Sequence, residues 1–235
     1  MSLIRPIKLK CNNLRQERQY INNINVFQSL KDNNITDLYK FCNTKELKRV
    51  LDETQTSLIL IIEKCKNDDI FTKVLAGRIS INASRQGLKD EIFIIEVCNS
   101  ITSKCGVNLT KLSATAYRPS KNGKIVTNKQ YKLMNKFDCL KSFDCKITGK
   151  ITGWIFAKVV FGNGGHQNNV FVEAYSFCEW VKKYGIKTDL YVVLIDTNLH
   201  THVNDLNKKY KIKNLIIGNH IIFQQYIIDN YSCNK

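Results

Sequence analysis

From Asp189 to Thr197 the chain reads DLYVVLIDT, and no charged side chain stands between its two aspartates. A half-exposed strand alternates apolar and polar residues. A continuous apolar run rich in Val is instead the mark of a strand buried on both faces. Such strands lie within parallel or mixed sheets and are reached through a crossover helix. The sequence supplies that helix at Gln167–Tyr184, where Phe171, Tyr175, Phe177 and Trp180 form a core-facing set and Gly185 ends the pattern. Ahead of it lie a second apolar strand, Trp154–Phe161, and a break at Gly162–Gly165. A shorter strand around Ser142–Thr148 comes earlier, with Gly149 or Gly153 at the turn between the two. The expected class is α/β (α+β): a mixed central β-sheet flanked by helices.

The rest of the chain fits around this centre. Residues 1–83 read as a helical N-terminal region packed on the core, with Asn34-Ile-Thr-Asp and Asn43-Thr-Lys-Glu as helix starts. The core itself is expected over 84–235. It opens with a helix from Ser84, apolar at Ile92, Ile95, Cys98 and Ile101, and Gly106 is its C′ residue. Strand and loop follow, and Asn122-Gly123 marks a hairpin. This arm, residues 113–136, is basic, with Arg118, Lys121, Lys124 and Lys129 interleaved with Tyr117 and Tyr131. Phosphate-contacting, base-reading arms have that make-up, and so do ordinary exposed hairpins. After the buried strand come a helix near His202–Tyr210, a strand at Asn214–Gly218 and a helix from Ile221 to about Asn230.

Composition narrows the partners. The 235 residues are 43% hydrophobic, so a packed core is feasible, and the formal net charge is +16. Such an excess points to a polyanion, nucleic acid first and an anionic membrane surface second. No apolar run approaches ~20 residues and no signal peptide is recognisable. Nine scattered cysteines without a CxxC pair argue against structural zinc and read as free thiols in a reducing, cytoplasmic setting.

One residue breaks the pattern of the second strand. Lys158 lies in WIFAKVVF, and a buried ammonium without an anionic partner costs several kcal/mol. Asp144 lies on the preceding strand, and Glu173 on the following helix. Carboxylates converging on a buried lysine make a site for a divalent metal and a phosphate. His166 and Gln167, in the turn between strand and helix, are further candidates. His166 is either a general base or a turn residue, and Gln167 orients water or caps the helix.

An Asp on one hairpin strand, a Lys on the next and a preceding helix with a Glu together resemble the PD-(D/E)XK nucleases, type II restriction endonucleases in particular. The resemblance spans roughly Ser84 to Thr197. It implies a restriction-endonuclease-like core in which Asp144 of SFD holds Mg²⁺ and Lys158 of FAK assists the attacking water. Glu91 (or Glu96) would be the helix acid. Phe143 replaces the usual Pro, and Phe156 stands where the second strand acid belongs. Glu173, on the following helix, is then the expected substitute, giving Asp144, Glu173 and Glu91 as metal ligands and Arg118, Lys121, Lys124 and Lys129 as DNA contacts. The implied function is Mg²⁺-dependent, sequence-specific cleavage of double-stranded DNA by a homodimer with a separate cognate DNA methyltransferase. The alternatives are a catalytically silent DNA- or RNA-binding protein on the same fold, for which Phe156 is the argument, and a structure-selective repair nuclease.

Overall fold

The computed structural model describes residues 7–83, 87–160, 165–197 and 200–232. The chain divides near residue 86 into two compact units.

The first unit is built from α1 (Ile7–Lys31), α2 (Ile35–Phe41), α3 (Thr44–Thr54), α4 (Leu58–Asn67) and α5 (Asp69–Ile79). The helix starts lie where the sequence places them. Asn34 and Asn43 accept hydrogen bonds from the amides of Asp37 and Glu46, which satisfies an otherwise orphaned donor in each first turn. Val26, Leu30, Leu38, Leu47, Ile61 and Leu75 pack into the unit's own core.

The second unit begins with α6 (Gly87–Thr102), and Gly106 follows it at φ +77°. The N-cap expected at Ser84 lies outside the described residues. Next come β1 (Val107–Lys111), the hairpin β2 (Tyr117–Pro119) and β3 (Ile125–Thr127), and the short α7 (Asn128–Lys132). The chain then runs through β4 (Cys145–Gly149), β5 (Thr152–Val160), α8 (Gly165–Tyr184), β6 (Asp189–Thr197), α9 (His200–Lys209), β7 (Leu215–Gly218) and α10 (His220–Tyr231). Five strands form a mixed sheet in the order β1-β4-β5-β6-β7. The β1, β4 and β5 pairings are antiparallel, whereas β5, β6 and β7 run parallel.

The expected class holds: a mixed sheet flanked by helices. β6 is buried from Leu190 to Thr197 because helices cover both faces. Phe156, Val193 and Ile217 of the sheet pack with Phe177 and Trp180 of α8 and Leu206 of α9 on one face. On the other face α6 packs against β1 and β5, and α10 against β6 and β7. Gly153 falls within β5, not at the turn. A Cβ there would collide with the Leu190 carbonyl oxygen of the paired strand. Gly153→Ala is therefore expected to destabilise the unit by roughly 3 kcal/mol, since a backbone neighbour cannot yield as a side chain would. Thermal denaturation checks this.

Candidate active site

β4 starts three residues later than the sequence pattern indicates, and the reason lies at Asp144. Its backbone is bonded on both sides: its amide donates to the Ile155 carbonyl at 2.9 Å, and its carbonyl accepts the Leu112 amide at 3.0 Å. Its side chain then takes over the ladder. Asp144 Oδ2 accepts the Ala157 amide at 2.9 Å, a bond that a further residue of β4 would otherwise supply. Just before it, Phe143 is buried and stacks on Trp154 with ring centroids 4.7 Å apart. A ring at this position thus anchors the segment by packing, and the Asp144 carboxylate is held by backbone and core together.

Two residues beyond Phe156, Lys158 is the ammonium around which the acids gather. Its Nζ is 3.2 Å from both Asp144 oxygens and contacts Glu91 Oε1 of α6. A second lysine closes the figure. Lys111, at the end of β1, places its Nζ 2.9 Å from Glu91 Oε2 and 3.8 Å from Asp144 Oδ1. The four charges sum to zero, which is how so buried a group of ions is tolerated. The sequence counts Lys111 among the basic residues of the arm and not with the acids, although a signal exists. In β1, Val107, Leu109 and Lys111 share one parity, and the first two are buried, so Lys111 points to the core side.

The electrostatics separate the two acids. Burial pushes the Asp144 carboxyl up to about 6, with Glu91 adding to the rise, while Lys158, the Ala157 amide and Lys111 hold it lower than burial alone would. Burial is also the largest influence on Glu91, but its bonds and charge interactions with Lys158 and Lys111 outweigh it, and the carboxyl ends below the usual range. Lys158 ends above the usual lysine value. Burial opposes its charge, and Asp144 and Glu91 overcome that opposition.

Glu91, Asp144 and Lys158 open onto a cleft of about 550 Å³, whose walls also carry Arg118, Lys141 and Glu173. Glu173 accordingly lies in the same cleft, as its place on α8 leads one to expect. Its carboxylate is bonded to Lys141, Oε1 to Nζ 3.2 Å, and it is not among the groups that touch Lys158. Glu96 is exposed on α6. His166 and Gln167 belong to the first turn of α8, and their side chains lie outside the described residues. Arg118 stacks on the Tyr131 ring at 4.3 Å, and its Nε has no hydrogen-bond partner. Lys121, Lys124 and Lys129 are exposed and do not line this cleft.

No family model, curated protein or solved structure matches this chain.

The position expected to carry a strand acid is filled by core. Phe156 is buried, its ring stacks with Phe177 at 6.1 Å, and the Lys158 ammonium lies 5.4 Å from its centre. Among the described residues no three His, Cys, Asp or Glu side chains gather as a metal site. Two carboxylates facing a cleft nevertheless fit Mg²⁺, which is hard and commonly takes one or two carboxylates, completing its shell with water and substrate phosphate. The thiols play no part in that chemistry. Cys145 and Cys178 are buried and pushed up to about 12, so they stay protonated as small hydrophobes. Among the described residues, no helix is long and apolar enough to cross a membrane.

Proposed function

We propose that this chain is a Mg²⁺-dependent endonuclease of double-stranded DNA, with a restriction-endonuclease-like core. The observation that carries the reading is the meeting of Glu91, Asp144 and Lys158 from α6, the start of β4 and β5 at one cleft. Phosphodiester hydrolysis needs an oriented water, a hold on the phosphoryl oxygens and relief of the charge that develops on them. Asp144 and Glu91 would hold Mg²⁺, which when bound supplies Lewis-acid polarisation. Lys158 offsets the developing negative charge and orients the water, and Arg118 is placed to grip a phosphate oxygen. A two-fold dimer would match a palindromic site.

A second reading, a silent nucleic-acid-binding protein, draws on one observation: the buried phenyl ring of Phe156 leaves the strand without its acid. Supercoiled plasmid incubated with Mg²⁺ or with EDTA separates the two. Mg²⁺-dependent nicking or linearisation that disappears in Asp144→Asn supports the enzyme, and intact plasmid under all conditions supports the binder. Discrete bands separate a site-specific enzyme from a repair nuclease.

Either reading predicts steeply salt-dependent binding, given a net charge of +16. With roughly six to ten phosphate contacts, affinity is expected to fall by ~10³–10⁵ between about 50 and 200 mM salt. Fluorescence anisotropy at several salt concentrations measures the slope, and a flat response would remove nucleic acid as the partner.

A further inference from the structure

Beyond Glu173, α8 also lines other space. A second hollow, of about 440 Å³, is lined by Lys121, Leu140, Ser176, Lys182 and Lys183 among others. It is lined from the same helix and the same loop as the first, by different residues. Leu140 adjoins Lys141 in the chain, and Ser176 lies one helical turn beyond Glu173 on α8. The two hollows thus follow one another along α8, and the Lys141–Glu173 ion pair belongs to the wall of the first.

The second hollow is built to keep its charges in place. The hairpin turn that carries Lys121 is seated on α8. Trp180 Nε1 donates to the Ser120 carbonyl at 2.7 Å, and Gly123, at φ +88°, lies against the Tyr184 ring, where a Cβ would not fit. Lys121, Lys182 and Lys183 are exposed and have no carboxylate partner among the described residues, while Lys183 Nζ lies 4.9 Å above the Tyr184 ring. The one acid in this hollow, Glu179, is already engaged by Lys209 at 3.0 Å and the Tyr210 hydroxyl at 2.6 Å. The result is a hollow in which three lysines face a single acid, next along α8 from the cleft.

We propose that this hollow is the track for one strand of a DNA duplex leaving the cleft, with Lys121, Lys182 and Lys183 as its phosphate contacts. The proposal rests on the nucleic-acid reading above. From Glu173 to Lys182 the helix advances roughly 14 Å at ~1.5 Å per residue, which corresponds to about four base pairs at ~3.4 Å each. A membrane surface fits less well, because it presents a plane and the lysines line a hollow.

The test compares the wild-type chain with the triple variant Lys121→Ala, Lys182→Ala, Lys183→Ala, using a 30-base-pair duplex in EDTA and anisotropy as the readout. Removing three contacts should lower the salt slope by about 2.7, so the affinity lost between about 50 and 200 mM is some 40-fold smaller in the variant. Duplexes trimmed from one end should lose affinity for the wild type once fewer than about four base pairs flank the site on that side, and the variant should not notice the trimming. A control variant at three exposed lysines outside the hollow, Lys104, Lys208 and Lys211, should keep the wild-type slope. A triple variant with the wild-type slope, or a control with the same deficit, overturns the track while leaving the nucleic-acid reading intact. A wild-type chain that binds no DNA overturns both. Binding to phosphatidylserine vesicles that the triple variant alone loses, with DNA binding unchanged, would assign these lysines to a membrane.

Discussion

Asp144→Asn is expected to lower Mg²⁺-dependent plasmid cleavage by roughly 10³-fold or more while leaving DNA affinity within a few-fold. The substitution keeps the shape of the side chain and an oxygen for the Ala157 amide, but removes the charge that faces the cleft. Lys158→Ala should be comparably inactive, because Lys158 is the cleft-lining ammonium that touches both Asp144 and Glu91. The acids on the helices divide more sharply. Glu91 touches Lys158 and Lys111, whereas Glu173 is engaged by Lys141 across the cleft. Glu91→Gln should therefore lose at least ~10²-fold and Glu173→Gln less than ~10-fold. Single-turnover rates on one plasmid substrate decide the matter. If Glu173→Gln is dead and Glu91→Gln cuts normally, the acid on α8 is the one that completes the site.

Removing Lys158 has the second large effect, on stability in metal-free buffer. It leaves two buried carboxylates with Lys111 as their only shared cation, and breaking a buried ion pair from one side costs about 3–5 kcal/mol. Lys111 keeps the expected loss near the lower end, about 3 kcal/mol at pH 8. The cost should shrink toward pH 5. Asp144 already holds its proton up to about 6, above the ordinary carboxyl value of ~3.9, so over that interval the folded chain binds more protons than the unfolded one. Stability consequently falls as pH rises from about 4 to about 6. Without Lys158 the Asp144 value climbs further, and the interval of falling stability extends upward with it. Glu91 works in the opposite sense. Its depressed value contributes stability above the ordinary carboxyl range, and this is lost as pH falls through that value. Asp144→Asn should remove the decline between pH 4 and 6, because the group that titrates there is gone. A pH series of melting curves in EDTA tests all three. A Lys158→Ala chain as stable as wild type at pH 8 would mean that the acids are not charged together.

Much of this arrangement was legible from residue order. β6 could be read because nothing but burial on both faces explains DLYVVLIDT, and α2 and α3 because Asn34 and Asn43 are capping residues in capping positions. Lys158 announced itself as an ammonium in need of acids. The start of β4 was misplaced because the ladder there is completed by a side chain, and hydropathy patterns carry no trace of a carboxylate standing in for a peptide group. Phe156 could be recognised as a departure, but which acid approaches Lys158 could not. Glu91, Glu96 and Glu173 each lie on a helix able to face the sheet, and the choice follows from how α6 packs against β1 and β5. Lys111 was harder to place. Set ahead of the basic hairpin arm, it looks like one more surface charge until strand parity is counted from Val107 and Leu109.

The bond between Asp144 and the Ala157 amide gives the molecule its own reporter. β5 runs on past the first residue of β4 there, and the proton on Ala157 is shielded by the very carboxylate assigned to hold the metal. In Asp144→Ala that shield is gone and the amide should exchange with deuterium far faster, while in Asp144→Asn an oxygen remains to receive it. Anything that draws Asp144 toward the cleft must tug on the same proton. A single backbone resonance at Ala157 thus reads out, without substrate turnover, whether the acid is at rest or engaged.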